Sequence, residues 1–269
     1  MHARGQRDQP WVRALGDGPA VVCLHANAST SAQWRGLMEL LSPRFRMLAP
    51  DLYGAGRSPD WPSDRAISLA DEADLVQPVL ANAGPQCALV GHSYGAAVAL
   101  KLALQLPPGR IRALALYEPT LFSLVDQATP RPNAVDGIRD TVLRAGAALD
   151  RDEPEQAARC FIDYWNGAGA WDAMTAEHRA GILPAVANVR RWGHALFSEP
   201  APPSALRRLD MPVLLIAGSE TTVAARAVLD ILRNQLPKST LVTVPGAGHM
   251  GPLTHAGLVN QTIADFLAD

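Results

Sequence analysis

Two short stretches carry residue types that can make and break covalent bonds. Gly91-His92-Ser93-Tyr94-Gly95 is a G-x-S-x-G pattern, and Pro245-Gly246-Ala247-Gly248-His249 puts an imidazole on a glycine-rich loop far along the chain. A serine hydroxyl is a weak nucleophile at its own pKa and needs an adjacent base. Histidine is the side chain that takes and returns a proton near neutrality. Ser93 is therefore read as the nucleophile of an acyl transfer and His249 as its base. A tight turn that presents the hydroxyl needs neighbours without Cβ atoms, which Gly91 and Gly95 supply. The helix expected after the turn would aim its first amides at the site, favouring developing negative charge. Of the other histidines, His92 is expected to point away from Ser93 and His255 to face solvent.

A carboxylate must orient the base and stabilise its charged form. Two residues could do so. Glu118 closes the run Leu114-Ala115-Leu116-Tyr117-Glu118, and Glu220 lies in Gly218-Ser219-Glu220-Thr221. Glu118 is preferred, because the end of a neighbouring strand could approach the imidazole; Glu220 is the alternative. The oxyanion needs two donors. One is the backbone N–H of Tyr94. The other is the backbone N–H of Asn27, in the loop His25-Ala26-Asn27-Ala28, with His25 holding that loop in place. This chemistry implies no metal, nucleotide or organic cofactor.

The surrounding pattern shows what would position these groups. Pro19–His25, Phe45–Ala49, Cys87–Val90, Ile111–Tyr117, Met211–Gly218 and Thr240–Val244 read as short buried strands. Helical spacing covers Ser31–Leu41, Ile67–Ala81, Tyr94–Leu106, Val223–Leu236 and Leu253–Leu267. Strands alternating with helices imply an α/β fold, a mostly parallel sheet flanked by helices. Between 121 and 205 the pattern turns helical and proline-rich, with Phe161, Tyr164, Trp165, Trp171, Trp192 and Phe197 concentrated there. The expected organisation is a core from 1–120 and 206–269, interrupted by a helical cap over 121–205.

Along nearly its whole length the chain resembles the α/β-hydrolase superfamily. The segments His25–Ala28, Asp51-Leu52-Tyr53-Gly54-Ala55-Gly56-Arg57-Ser58, Gly91–Gly95 and Gly246–His249 carry the likeness, in the family's order. It implies the α/β-hydrolase fold, an architectural role for the Asp51–Ser58 turn, and a lid over the site. Two departures stand out. His-Ala replaces the commoner His-Gly before the oxyanion residue, and Thr221 occupies the usual aspartate position after the later strand. Haloalkane dehalogenases of this superfamily include members whose catalytic glutamate follows the earlier strand, as Glu118 does. Their own chemistry and that of epoxide hydrolases use an aspartate nucleophile, where this chain has Ser93. The expected function is a serine hydrolase of a small, apolar carboxylic ester, thioester or lactone. The alternatives are a C–C bond hydrolase, a perhydrolase or a hydroxynitrile lyase on the same residues, or a ligand-binding protein without catalysis.

Composition narrows the setting. With 269 residues, 48% hydrophobic and 19% charged, and a net charge of −2, the chain has the balance of a soluble globular protein. No basic excess exists to neutralise nucleic-acid phosphates. Cys23, Cys87 and Cys160 are read as free thiols of a reducing compartment. Met1–Pro10 lacks the apolar core of a secretory signal, and no run approaches the ~18 apolar residues that cross a membrane. A cytoplasmic protein acting on a small-molecule substrate, with neither nucleic-acid nor membrane partners, is the expectation.

Overall fold

The computed structural model describes residues 9–200 and 202–268. The N-terminal segment read above for a secretory signal lies, through Asp8, outside the described residues. Seven strands form one sheet: β1 (Val12–Leu15), β2 (Ala20–Leu24), β3 (Arg46–Pro50), β4 (Cys87–His92), β5 (Ile111–Tyr117), β6 (Val213–Gly218) and β7 (Ser239–Val244). Their order is β1-β3-β2-β4-β5-β6-β7, with β1 antiparallel to β3 and every other pair parallel. The fold is α/β, as the strand–helix alternation implies.

The continuous apolar runs have a simple cause. Along β2, Ala20, Val22 and Leu24 join the core on one face of the sheet, while Val21 and Cys23 join the core on the other. Helices cover both faces, so neither can be polar. α1 (Arg35–Leu41), α2 (Leu69–Asn82) and α3 (Tyr94–Gln105) alternate with the early strands. Among the described residues six α-helices lie between β5 and β6: α4 (Ser123–Ala128), α5 (Asp136–Asp150), α6 (Pro154–Asn166), α7 (Ala170–Ala173), α8 (Ala176–Val186) and α9 (Val189–Phe197). The described residues between 121 and 205 contain no strand. A part-buried ion pair, Lys101 Nζ to Glu199 at 2.7 Å, ties this segment to α3. α10 (Val223–Gln235), α11 (Gly251–Thr254) and α12 (Ala256–Ala268) complete the chain.

Two local expectations need correction. β1 is not among the strands expected from sequence: it is four residues long, half exposed, and sits at the sheet edge, so it lacks the apolar run that marks a central strand. The helix expected over Ser31–Leu41 divides into a 3-10 turn at Ser31–Trp34, capped by Thr30, followed by α1. Trp34, Leu37, Met38 and Leu41 are nevertheless all buried, because both halves keep the same face inward. α2 opens on a capping box in which Ser68 and Asp71 satisfy each other's backbone amides. Among the described residues no helix is long and apolar enough to cross a membrane. Cys23 and Cys87 are buried, Cys160 is half-buried, and all three are free.

The chain moves outward from β2 to β3, then returns to lay β4 on β2's other side. Such a reversal leaves a crevice beyond the carboxyl ends of the strands, where open α/β sheets bind ligands. The loops after β2, β4, β5 and β7 carry Asn27, Ser93, Glu118 and His249, so the topology brings all four to that end.

Candidate active site

Ser93 occupies the turn from β4 to α3 with φ 54° and ψ −115°, a conformation that a residue with a side chain adopts only under constraint. The constraint is visible on either side. A Cβ at Gly91 would lie 2.5 Å from Cα of Ala96, and one at Gly95 would lie 2.5 Å from the carbonyl oxygen of His25. The Ser93 N–H donates to the Tyr117 carbonyl at 3.0 Å, fixing the turn against β5. Tyr94 is the first residue of α3, so its amide has no intrahelical acceptor. The Asn27 amide likewise has no acceptor among the described residues.

His249 lies between Ser93 and Glu118. Its Nε2 is 2.9 Å from Ser93 Oγ, and its Nδ1 is 2.7 Å from Glu118 Oε2. With Nδ1–H donating to the carboxylate, Nε2 of the neutral ring is left to accept from the serine hydroxyl. All three side chains are buried: Glu118 is 0% exposed, His249 3% and Ser93 5%. Glu118 has φ 41° and takes a second hydrogen bond, at 2.8 Å, from the Gly218 N–H at the end of β6. Both carboxylate oxygens are therefore engaged. Glu220 is exposed instead, and its amide donates to the Ala247 carbonyl.

The loop bearing His249 is pinned from below. His92 Nε2 donates to the His249 carbonyl at 2.8 Å, and the Tyr117 hydroxyl donates to the Gly248 carbonyl at 2.7 Å. Burial pushes the His92 pKa well below its ordinary value, with the nearby His249 adding to the effect, so the ring is held neutral. His255, expected to face solvent, is half-buried at the C-terminal end of α11 and bonds the Thr254 hydroxyl. His25 secures the loop after β2: its Nδ1 donates to the Ala26 carbonyl at 2.8 Å, and its Nε2 accepts from the Leu52 N–H at 3.0 Å. Burial lowers its pKa. The turn that starts at Asp51 is architectural, with that carboxylate accepting from the amides of Ser31 and Arg57.

Two neighbours of the site are not marked by any sequence motif. The Trp165 indole, from α6, lies over the His249 imidazole with ring centroids 3.8 Å apart and planes at 22°. Glu72, on α2, is buried beside Tyr94. Its carboxyl accepts from the Tyr94 hydroxyl at 3.1 Å and from the Tyr53 N–H at 3.2 Å. Burial pushes its pKa up to about 8, against the two hydrogen bonds that pull it down.

A buried hydroxyl, an imidazole and a carboxylate in one hydrogen-bonded line form an arrangement suited to acyl transfer. The chain is also similar to proteins of known name and structure. The family described as the alpha/beta hydrolase fold matches residues 19–256. The putative carbamate hydrolase RutD of Variovorax paradoxus is 32% identical over 275 residues, covering 96% of this chain and 94% of the relative. The pimeloyl-[acyl-carrier protein] methyl ester esterase of Nitrosomonas europaea is 29% identical over 243 residues, covering 88% and 91%. Among solved structures, a hydrolase from Oleispira antarctica superposes with a TM-score of 0.78 at 20% identity, covering 97% of this chain and 96% of that one, a likeness of fold. The matched span contains every loop that carries Asn27, Ser93, Glu118 and His249, and this chain belongs to the α/β-hydrolase fold family.

Proposed function

We propose that the protein is a serine hydrolase that cleaves a small carboxylic ester through an acyl-enzyme. Ser93 Oγ attacks the carbonyl carbon as its proton passes to His249 Nε2. The backbone amides of Asn27 and Tyr94 hold the oxyanion, and Glu118 keeps the imidazole oriented and stabilises its charge. The bond to the leaving oxygen then breaks and His249 returns the proton to the departing alcohol. A water deprotonated by His249 releases the acid and frees Ser93. The helical segment over 121–205 serves as a cap between the core parts 1–120 and 206–269. The substrate is a small molecule, no nucleic acid or membrane takes part, and the cytoplasm keeps the three thiols reduced.

The observation that carries this reading is the unbroken contact from Ser93 Oγ through His249 to Glu118, at 2.9 and 2.7 Å. The relatives' names, an ester esterase and a carbamate hydrolase, support an acyl substrate. The test is turnover of short p-nitrophenyl esters together with labelling by a fluorophosphonate. Ser93→Ala should lose the label and at least about a thousandfold in kcat. Equal turnover by the wild type and Ser93→Ala defeats the assignment.

A further inference from the structure

Two chambers of unequal size meet at Asn27 and Trp192, which line both. The smaller contains Ser93. Its walls are apolar, from residues such as Phe122, Val142, Trp165 and Leu196, and its volume is about 20 Å³. A space of that size, just above the roughly 10–15 Å³ one water needs, takes a methyl-sized group. It also holds Thr120, which is buried and whose Oγ1 has no hydrogen-bond partner among the described residues. The larger chamber measures about 440 Å³ and lies along the loop after β2. Its wall includes Asn188 and the carboxylate of the exposed Asp60; Glu72 borders it too, with its carboxyl already bonded to Tyr94 and Tyr53, and among the described residues no lysine or arginine lines it. Arg191 borders a neighbouring recess and donates to Asn188 Oδ1.

Deciding which end of an ester enters which chamber requires only the direction of proton transfer, and so rests on the acyl-enzyme reading above. The leaving oxygen must come within reach of His249 Nε2. Ser93, bonded to that nitrogen, and Trp165, stacked on that ring, both line the small chamber; neither lines the large one. The large chamber reaches the two residues assigned to the oxyanion, Asn27 and Tyr94, instead. The geometry points to a methyl or ethyl ester whose alcohol portion fills the small apolar chamber and whose acyl chain extends past Asn27 into the large one, ending in a hydrogen-bond donor such as an amine or amide rather than a carboxylate. The Thr120 hydroxyl then finds its missing partner in the alcohol oxygen, and the Asp60 carboxylate meets a donor rather than another anion.

Two series of substrates test this. In the first, one acid is offered as its methyl, ethyl, n-butyl and benzyl esters. The value of kcat/KM should fall by about tenfold or more from the methyl to the butyl ester, the scale on which a closed apolar pocket discriminates methylenes. Leu196→Ala, or Val142→Ala should the first not fold, should shift that preference toward longer alcohols and leave acyl preference unchanged. In the second series the leaving group is methanol and the acyl chains are matched in length: methyl 6-aminohexanoate, methyl hexanoate and monomethyl adipate. The amine should be preferred over the carboxylate, and Asp60→Asn should narrow the gap. Butyl esters cleaved as well as methyl esters, a chamber variant that changes acyl preference instead, or preference for the adipate monoester overturns the assignment while fluorophosphonate still labels Ser93. Absence of both labelling and turnover means that the acyl-enzyme reading has failed, and the chamber assignment with it.

Discussion

The indole of Trp165 covers one face of the His249 imidazole, with centroids 3.8 Å apart and planes 22° from parallel. Trp165 is itself braced by Phe122 and Phe161, each 6.4 Å away between ring centroids. An aromatic face attracts a cation, and the attraction is strongest where water is excluded. In the proposed reaction the ring beneath it gains its positive charge on taking the serine proton. The contact is therefore stronger in the charged intermediate than in the resting site, which is the condition for it to assist the chemical step.

Replacing Trp165 with leucine should lower kcat by about tenfold, the kinetic equivalent of the ~1–2 kcal/mol that a desolvated cation–π contact supplies. Trp165→Phe keeps a ring face and should retain most of the activity. Steady-state kinetics for the two variants, with melting temperatures alongside, separate this role from packing alone. Equal losses of kcat in both variants would mean that the indole only fills space.

Glu118→Gln should lower kcat by a factor between about a hundred and ten thousand, because an amide can neither stabilise the imidazolium nor enforce the Nδ1–H tautomer. Glu220→Gln, at an exposed position, should stay within about twofold of wild type, as surface substitutions generally do. Measuring both on one p-nitrophenyl ester ranks them, and the opposite ranking would transfer the orienting role to Glu220.

The parts of this site that could be read from sequence are those under local steric or pattern constraints. The Ser93 turn could be recognised because Gly91 and Gly95 have no room for a Cβ, a demand met within five residues. β2, β4, β5 and β6 could be recognised because burial on both faces makes them continuously apolar. The choice between Glu118 and Glu220 is different. It depends on where the loop after β7 falls relative to the ends of β5 and β6, and strand order is not a local property. Trp165 lies on an amphipathic helix whose apolar face could have met any surface, so nothing nearby announces the imidazole. Glu72 follows Asp71 in the first turn of α2, where acidic residues are common for reasons of helix polarity. Its burial comes from the packing of α2 against α3, and the local sequence carries no trace of it.

Glu72 should leave a mark on the pH dependence of stability. Burial holds its pKa near 8 in the folded protein, against an ordinary value of 4.5. Between those limits the folded state keeps a proton that the unfolded chain has released, so stability falls as pH rises. The contribution is fully present below pH 4.5 and is lost by about pH 8, and each unit of pH across that window costs about 1.4 kcal/mol at most. A glutamine in place of Glu72 would imitate the protonated carboxyl: its oxygen can accept from the Tyr53 amide, while its NH2 donates to the Tyr94 hydroxyl. Glu72→Gln should therefore gain on wild type by a few kcal/mol as pH rises from about 5 to 8, with little difference at the acid end. Denaturant unfolding of both proteins across that range gives the comparison. A gap that stays constant with pH would show that the Glu72 carboxyl titrates alike in the folded and unfolded chains.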